Sequence, residues 1–161
     1  MKLSRSLYMT AILTVAAALS ASAQTATQTV TFQVDAINQV AVTGTPTLAI
    51  TAAVAGGAPT TVTSAGNTWA VTTNQTGAKI TASIASNMPT GLTLSANLGA
   101  PTGATSAGLK SLSTVAVDVV TGITKLNQSA MTLTYQLDAT SAAGVITSTT
   151  RVVTYTITGG V

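Results

Sequence analysis

Met131-Thr132-Leu133-Thr134-Tyr135-Gln136-Leu137 alternates an apolar side chain with a polar one at every step. Side chains on a strand point to opposite faces in turn. Met131, Leu133, Tyr135 and Leu137 therefore share one face and the polar residues share the other. A helix would need its apolar residues three and four apart. The same two-residue period recurs outward from this stretch. Val153, Tyr155 and Ile157 alternate with threonines after it. Before it come Val115 with Val117 and Val119, Leu92 with Leu94, Ile80 with Ala82 and Ile84, Trp69 with Val71, and Leu48 with Ile50. Threonine supplies 32 of the 138 residues from Gln24 onward, and its branched Cβ favours extended backbone. No segment in that span has a helical period.

Turn chemistry falls between these runs: Gly44-Thr45-Pro46, Gly56-Gly57-Ala58-Pro59, Gly66-Asn67, Asn74-Gln75-Thr76-Gly77, Met88-Pro89-Thr90-Gly91, Thr121-Gly122 and Ala142-Ala143-Gly144. The stretch from Gly99 to Gly108 reads as the longest loop. Eight or nine short strands so divided predict an all-β, antiparallel β-sandwich, with a small barrel as the other solution. An outer-membrane barrel needs aromatic girdles, and after the leader Phe32, Trp69, Tyr135 and Tyr155 are the only aromatics. No repeat of fixed period occurs, which argues against a solenoid and against a flat ice-binding array of threonines.

Residues 1–23 read as a secretory signal peptide. Lys2 and Arg5 precede a short apolar run from Met9 to Leu19, and Ala21-Ser22-Ala23 offers the small residues of a cleavage site. That run is shorter than the roughly 20 residues a spanning helix needs. The expected organisation is a leader, 1–23, followed by one domain, 24–161, secreted to the cell surface or beyond, through a periplasm if the cell has an outer membrane. No membrane insertion of the mature chain is expected. Cleavage removes two of the six bases and leaves Lys79, Lys110, Lys125 and Arg151 against Asp35, Asp118 and Asp138. Four scattered bases make no phosphate-binding stripe, so nucleic acid is not an expected partner.

The inventory of side chains excludes more functions than it suggests. Cysteine, histidine and glutamate are absent and only 6% of residues are charged, so thiol, imidazole and Cys/His zinc chemistry are unavailable. Neither a metal nor a small-molecule cofactor is expected. A glycosidase pair among three aspartates would lack the polar and aromatic residues that hold a sugar. There is no Gly-X-Ser-X-Gly elbow and no Ser-X-X-Lys motif for a serine hydrolase. Asp118 lies opposite a valine face. It reads as an outward charge that discourages edge pairing, or as the carboxylate assisting a Lys–Asn isopeptide bond. Asp138 reads as a turn residue. Trp69, Tyr135 and Tyr155 are expected in the core, with a ligand platform as the other reading of Trp69. Two glycosylation sequons, at Asn74 and Asn127, carry little weight. The expectation is a non-enzyme.

The most informative segment is 24–42. Val30, Phe32, Val34 and Ala36 alternate with polar residues on backbone free of Pro and Gly. Two readings need this same pattern. The segment is either the first strand of the chain's own sheet or a strand donated to a neighbouring subunit by β-augmentation.

Taken together, the Ala21-Ser22-Ala23 site, the alternating N-terminal segment, the Thr/Ala/Val-rich strands and the low charge resemble the secreted β-sandwich subunits of bacterial surface fibres. Those are the fimbrial pilins and the biofilm-matrix fibre subunits that assemble by donor-strand exchange. The chain departs from chaperone–usher pilins in lacking their disulfide and in having a complete C-terminal strand at Val152 to Ile157. The resemblance implies an immunoglobulin-like or pilin-like fold and a structural role in a fibre or layer. It also implies self-association or other surface subunits as partners, through Val30, Phe32, Val34 and Ala36. The other functional expectation is a soluble secreted or periplasmic adhesion module that binds through loops such as 99–108.

Overall fold

The computed structural model describes residues 23–161, so the leader reading of 1–23 lies outside the described residues except at Ala23. The chain divides into two units, Met1–Gln33 and Val34–Val161. The second unit is all-β. Its strands are β1 (Asn38–Thr43), β2 (Val62–Thr63), β3 (Asn67–Ile84), β4 (Leu92–Leu98), β5 (Thr105–Ser106), β6 (Lys110–Ser111), β7 (Val117–Ala139) and β8 (Val153–Thr158). They form one antiparallel sheet of eight strands, and the only helical element among the described residues is a single 3-10 turn at Ser141–Ala143.

Two long strands organise this sheet. β3 has 18 residues and β7 has 23, well beyond the usual five or six. They pair with each other from Asn67↔Leu133 to Ala82↔Val117. Leu133 also pairs with Leu98, so β4 occupies the opposite side of β7. Along its outer side β3 is covered first by β1, from Thr43↔Thr68 to Asn38↔Thr73, and then by β8, from Lys79↔Thr158 to Ile84↔Val153. The short strands β2 and β5 pair with β7, and β6 pairs with β4.

Asn74-Gln75-Thr76-Gly77 and Thr121-Gly122, expected as turns, lie inside β3 and β7 and work as bulges. Between Thr73↔Leu126 and Thr76↔Thr124, β3 spends one residue more than its partner; between Ala78↔Ile123 and Ile80↔Val120, β7 does. Gly77 and Gly122 both take positive φ, near 77° and 76°, which glycine adopts without strain. β3 spends a second extra residue between Thr76↔Thr124 and Ala78↔Ile123, and the odd step from 73 to 78 changes which positions face inward. In β3 the buried positions are accordingly Asn67, Trp69, Val71 and Thr73 before the bulge, and Ala78, Ile80, Ala82 and Ile84 after it. A further shift between Ile80↔Val120 and Thr81↔Asp118 turns the adjacent Val119 and Val120 both inward.

The core is built from these inward positions, with Trp69, Ile80, Leu98, Ile123 and Leu133 its largest fully buried side chains. Trp69 donates its Nε1–H to the carbonyl of Gly99 at 3.2 Å. Among the described residues no buried side-chain nitrogen or oxygen lacks a partner. Tyr135 is buried and Tyr155 half-buried against the same cluster. The 99–108 stretch is less loop than expected: it contains β5 and buries Pro101, and its Thr102 N–H donates to Gln128 Oε1 at 2.8 Å.

Candidate functional site

The alternating N-terminal segment forms a strand only from Asn38; residues 24–37 lie outside any strand. Val30, Phe32, Val34 and Ala36 lie in that stretch. All four are exposed, with Val30 at 71%, Phe32 at 87% and Val34 at 76% of full exposure. Among the described residues, no hydrogen bond involves residues 24–32.

Asn74, in the β3 bulge, marks where the segment joins the sheet. Its side chain donates to the carbonyl of Asp35 at 2.7 Å and accepts from the N–H of Ile37 at 2.8 Å. Its own N–H donates to the Ile37 carbonyl at 3.2 Å. The amide of this sequon is thus engaged with backbone.

Within 34–161 lies a groove of about 1040 Å³. Its floor is apolar: Leu92 and Leu94 from β4, with Tyr135 and Leu137 from β7. It is also lined by residues of 46–53, which run from β1 towards β2, and of 140–151, which connect β7 to β8. Leu48 and Ile50 are half-buried while Thr47, Ala49 and Thr51 are exposed. This is the alternation of a strand, as their sequence predicts, yet the segment is not in one.

The reason lies in the backbone. Among the described residues neither 47–51 nor 145–150 makes a backbone-to-backbone hydrogen bond. Each is tied only at an end. Thr60 N–H donates to Ala52 O at 2.8 Å beside the Ala53↔Pro59 bridge, and Ala85 N–H donates to Val152 O at 3.0 Å. Two unpaired runs thus face the groove, a feature the alternation alone gave no means to foresee.

Charge is nearly absent from the groove. Arg151 is its one charged lining residue, and its guanidinium donates to the carbonyls of Asn87 and Thr150 at 3.3 and 2.8 Å. Beneath the floor the Tyr155 hydroxyl donates to the Tyr135 hydroxyl at 3.0 Å. Burial pushes both phenols above their ordinary range. For Tyr155 the hydrogen bond and the charge of an ionised Tyr135 add to the rise, and for Tyr135 the same hydrogen bond works the other way. Both therefore stay neutral.

Lys79, Asp118 and Asp138 are engaged with surface partners. Asp118 pairs with Lys79 at 2.9 Å, both half-exposed. Asp138 lies inside β7, not in a turn, and accepts from Thr61 Oγ1 at 2.6 Å and Gln136 Nε2 at 2.9 Å. No group of three or more acidic, histidine or cysteine side chains converges among the described residues. No family model matches the chain, and no curated protein or solved structure matches it either.

Proposed function

We propose that this chain is a non-enzymatic structural subunit of an extracellular or cell-surface fibre or layer. It joins copies of itself, or other surface subunits, by donating the N-terminal segment around Val30, Phe32, Val34 and Ala36. The observation that carries this reading is the exposure of Val30, Phe32 and Val34 on backbone that is unpaired from 24 to 32. Burying each of the three would contribute about 1.5–3 kcal/mol, and ladder hydrogen bonds would accompany it. The leader signature at 1–23 and the scarcity of charge support export and close association. In this reading the sheet bends over its core as a β-sandwich of pilin-like type, the bulges in β3 and β7 allowing the long strands to turn.

Phe32→Asp in the full chain tests it. The monomer should keep its stability, because Phe32 is exposed, while assembly should be lost. Fibres from Phe32→Asp, or a folded wild-type chain that stays monomeric at high concentration, would reject it.

One observation favours a second reading, a secreted or periplasmic binding module. The groove lies at the upper end of the ~300–1,000 Å³ range of small-molecule sites and has an apolar floor. Glycan or protein binding by a monomer, without polymer, would support that reading.

A further inference from the structure

From an apolar groove that holds one uncompensated cation, we infer that the groove binds a free long-chain fatty acid. Its carboxylate meets Arg151 and its acyl chain lies over Leu92, Leu94 and Leu137. This rests on the binding-module reading of the groove and names the ligand class. It does not depend on the fibre reading.

The first argument is the charge on Arg151. Its side chain is half-buried and is the one charged group that lines the groove. Nε donates to the Asn87 carbonyl at 3.3 Å, and Nη1 to the Thr150 carbonyl at 2.8 Å and to Thr149 Oγ1 at 3.4 Å. Those bonds hold the planar group in place without answering its charge. Among the described residues Nη2 makes no hydrogen bond, and no carboxylate lies within ion-pair reach of the guanidinium. A pre-oriented cation of this kind favours a carboxylate, which can accept from it.

The floor sets what that carboxylate is attached to. Leu92, Leu94 and Leu137 carry no side-chain donor or acceptor, and the Tyr135 hydroxyl already accepts from Tyr155 at 3.0 Å. A sugar or a nucleotide would give up its hydration there for too few polar partners, whereas hydrocarbon loses nothing. Residues 145–150 are all exposed, so their unpaired backbone groups keep water within reach while hydrocarbon covers the floor. At about 1040 Å³ the groove has room for a long single chain. Lys79, Lys110 and Lys125 do not line it, so no basic patch surrounds it to hold an anionic bilayer.

The experiment measures displacement of a fluorescent fatty acid from the full secreted chain, kept dilute enough for light scattering to show monomer. The competitors are laurate, myristate, palmitate, hexadecanol and phosphatidylglycerol vesicles, and the same chain is put on a glycan array. Three variants accompany the wild type. Arg151→Gln removes the charge, Ile146→Asp alters an exposed lining residue, and Leu109→Gln alters an exposed apolar residue outside the groove.

Affinity should rise about fourfold for each CH₂ added from laurate to palmitate. Hexadecanol should bind about tenfold more weakly than palmitate. Arg151→Gln should erase that difference while hexadecanol binding persists, which also shows that the variant folds. Ile146→Asp should weaken palmitate and Leu109→Gln should not. Equal binding of acid and alcohol by the wild type, equal losses in Ile146→Asp and Leu109→Gln, or binding to vesicles alone would overturn the inference. Glycan binding without palmitate binding would overturn the fatty acid and leave the binding module standing. Binding of neither, with fibres formed at higher concentration, would overturn both.

Discussion

The middle of the sheet and the runs that lie outside any strand use the same alphabet of threonine, valine, alanine and leucine, and they end in opposite states. Where β3 and β7 run together, Ile80, Val119, Val120 and Ile123 are fully buried and the backbone is paired on both sides. Outside the strands, Val30, Phe32 and Val34 stand exposed, and, separately, 47–51 and 145–150 lack backbone partners. Composition and period do not separate the two regions. What separates them is whether a neighbouring strand is supplied by the chain itself. An alternating run without ladder hydrogen bonds, such as 47–51, is an unpaired edge, the feature that monomers blunt and assemblies exploit.

The largest contrast is expected from matched truncations. Trp69→Ala should destabilise by about 3–5 kcal/mol, since it empties a fully buried site and leaves the Gly99 carbonyl without its donor. Phe32→Ala should stay within about 0.5 kcal/mol by denaturant titration of the monomer. A large loss in Phe32→Ala would erase the distinction between the regions.

A middle-sized effect should come from Gly91, which lies at the turn supporting the 140–151 lining of the groove. Its φ is near 80°, and a Cβ there would meet the backbone N of Ala143 at 2.5 Å. Gly91 also accepts from the Thr140 N–H at 2.8 Å. Gly91→Ala should cost about 1–3 kcal/mol. Hydrogen exchange should show the loss concentrated around 140–144, with Ile80 and Ile123 still protected.

These contrasts also mark how much was legible. Period two named Trp69, Val71, Ile80, Ala82, Ile84, Val119, Met131, Leu133 and Tyr135, all buried, but it put the exposed Val115 on the inward face and missed Val120 and Ile123, which register shifts turn inward. It failed at Asn74–Gly77 and at Thr121-Gly122. Turn-forming residues there absorb extra residues in a continuing strand, and the choice depends on a partner distant in sequence. Trp69, Tyr135 and Tyr155 were placed from their size and pattern. The groove was not foreseen, since an unpaired backbone row has no signature in the side chains that flank it. For 24–37, the pattern fits a strand equally well whether its partner lies in this chain or another.

The tyrosine pair gives a smaller effect that depends on pH. Both phenols have raised pKa values in the fold, whereas in the unfolded chain they ionise near 10. The folded state therefore holds its protons longer. Stability from this source is full below pH 10 and falls as pH rises past it. Tyr155→Phe should cost about 1 kcal/mol at neutral pH through the lost hydrogen bond, and its alkaline decline should be shallower than that of the wild type. Equal decline in the two, followed by thermal melts from pH 8 to 11, would remove Tyr155 from the account.

The smallest effect belongs to Lys79. Its ion pair with Asp118 is half-exposed, so Lys79→Ala should cost about 0–1 kcal/mol and less at high salt.

The central claim is that the exposed N-terminal segment links one copy to the next. The most direct measurement is light scattering with negative-stain electron microscopy on the chain from Gln24 onward, beside a form that starts at Asp35. The shorter form keeps β1 and the Asn74 contacts to 35 and 37. The account predicts fibres from the first and a folded monomer from the second. Fibres from both, or folded monomers from both at high concentration, would contradict it.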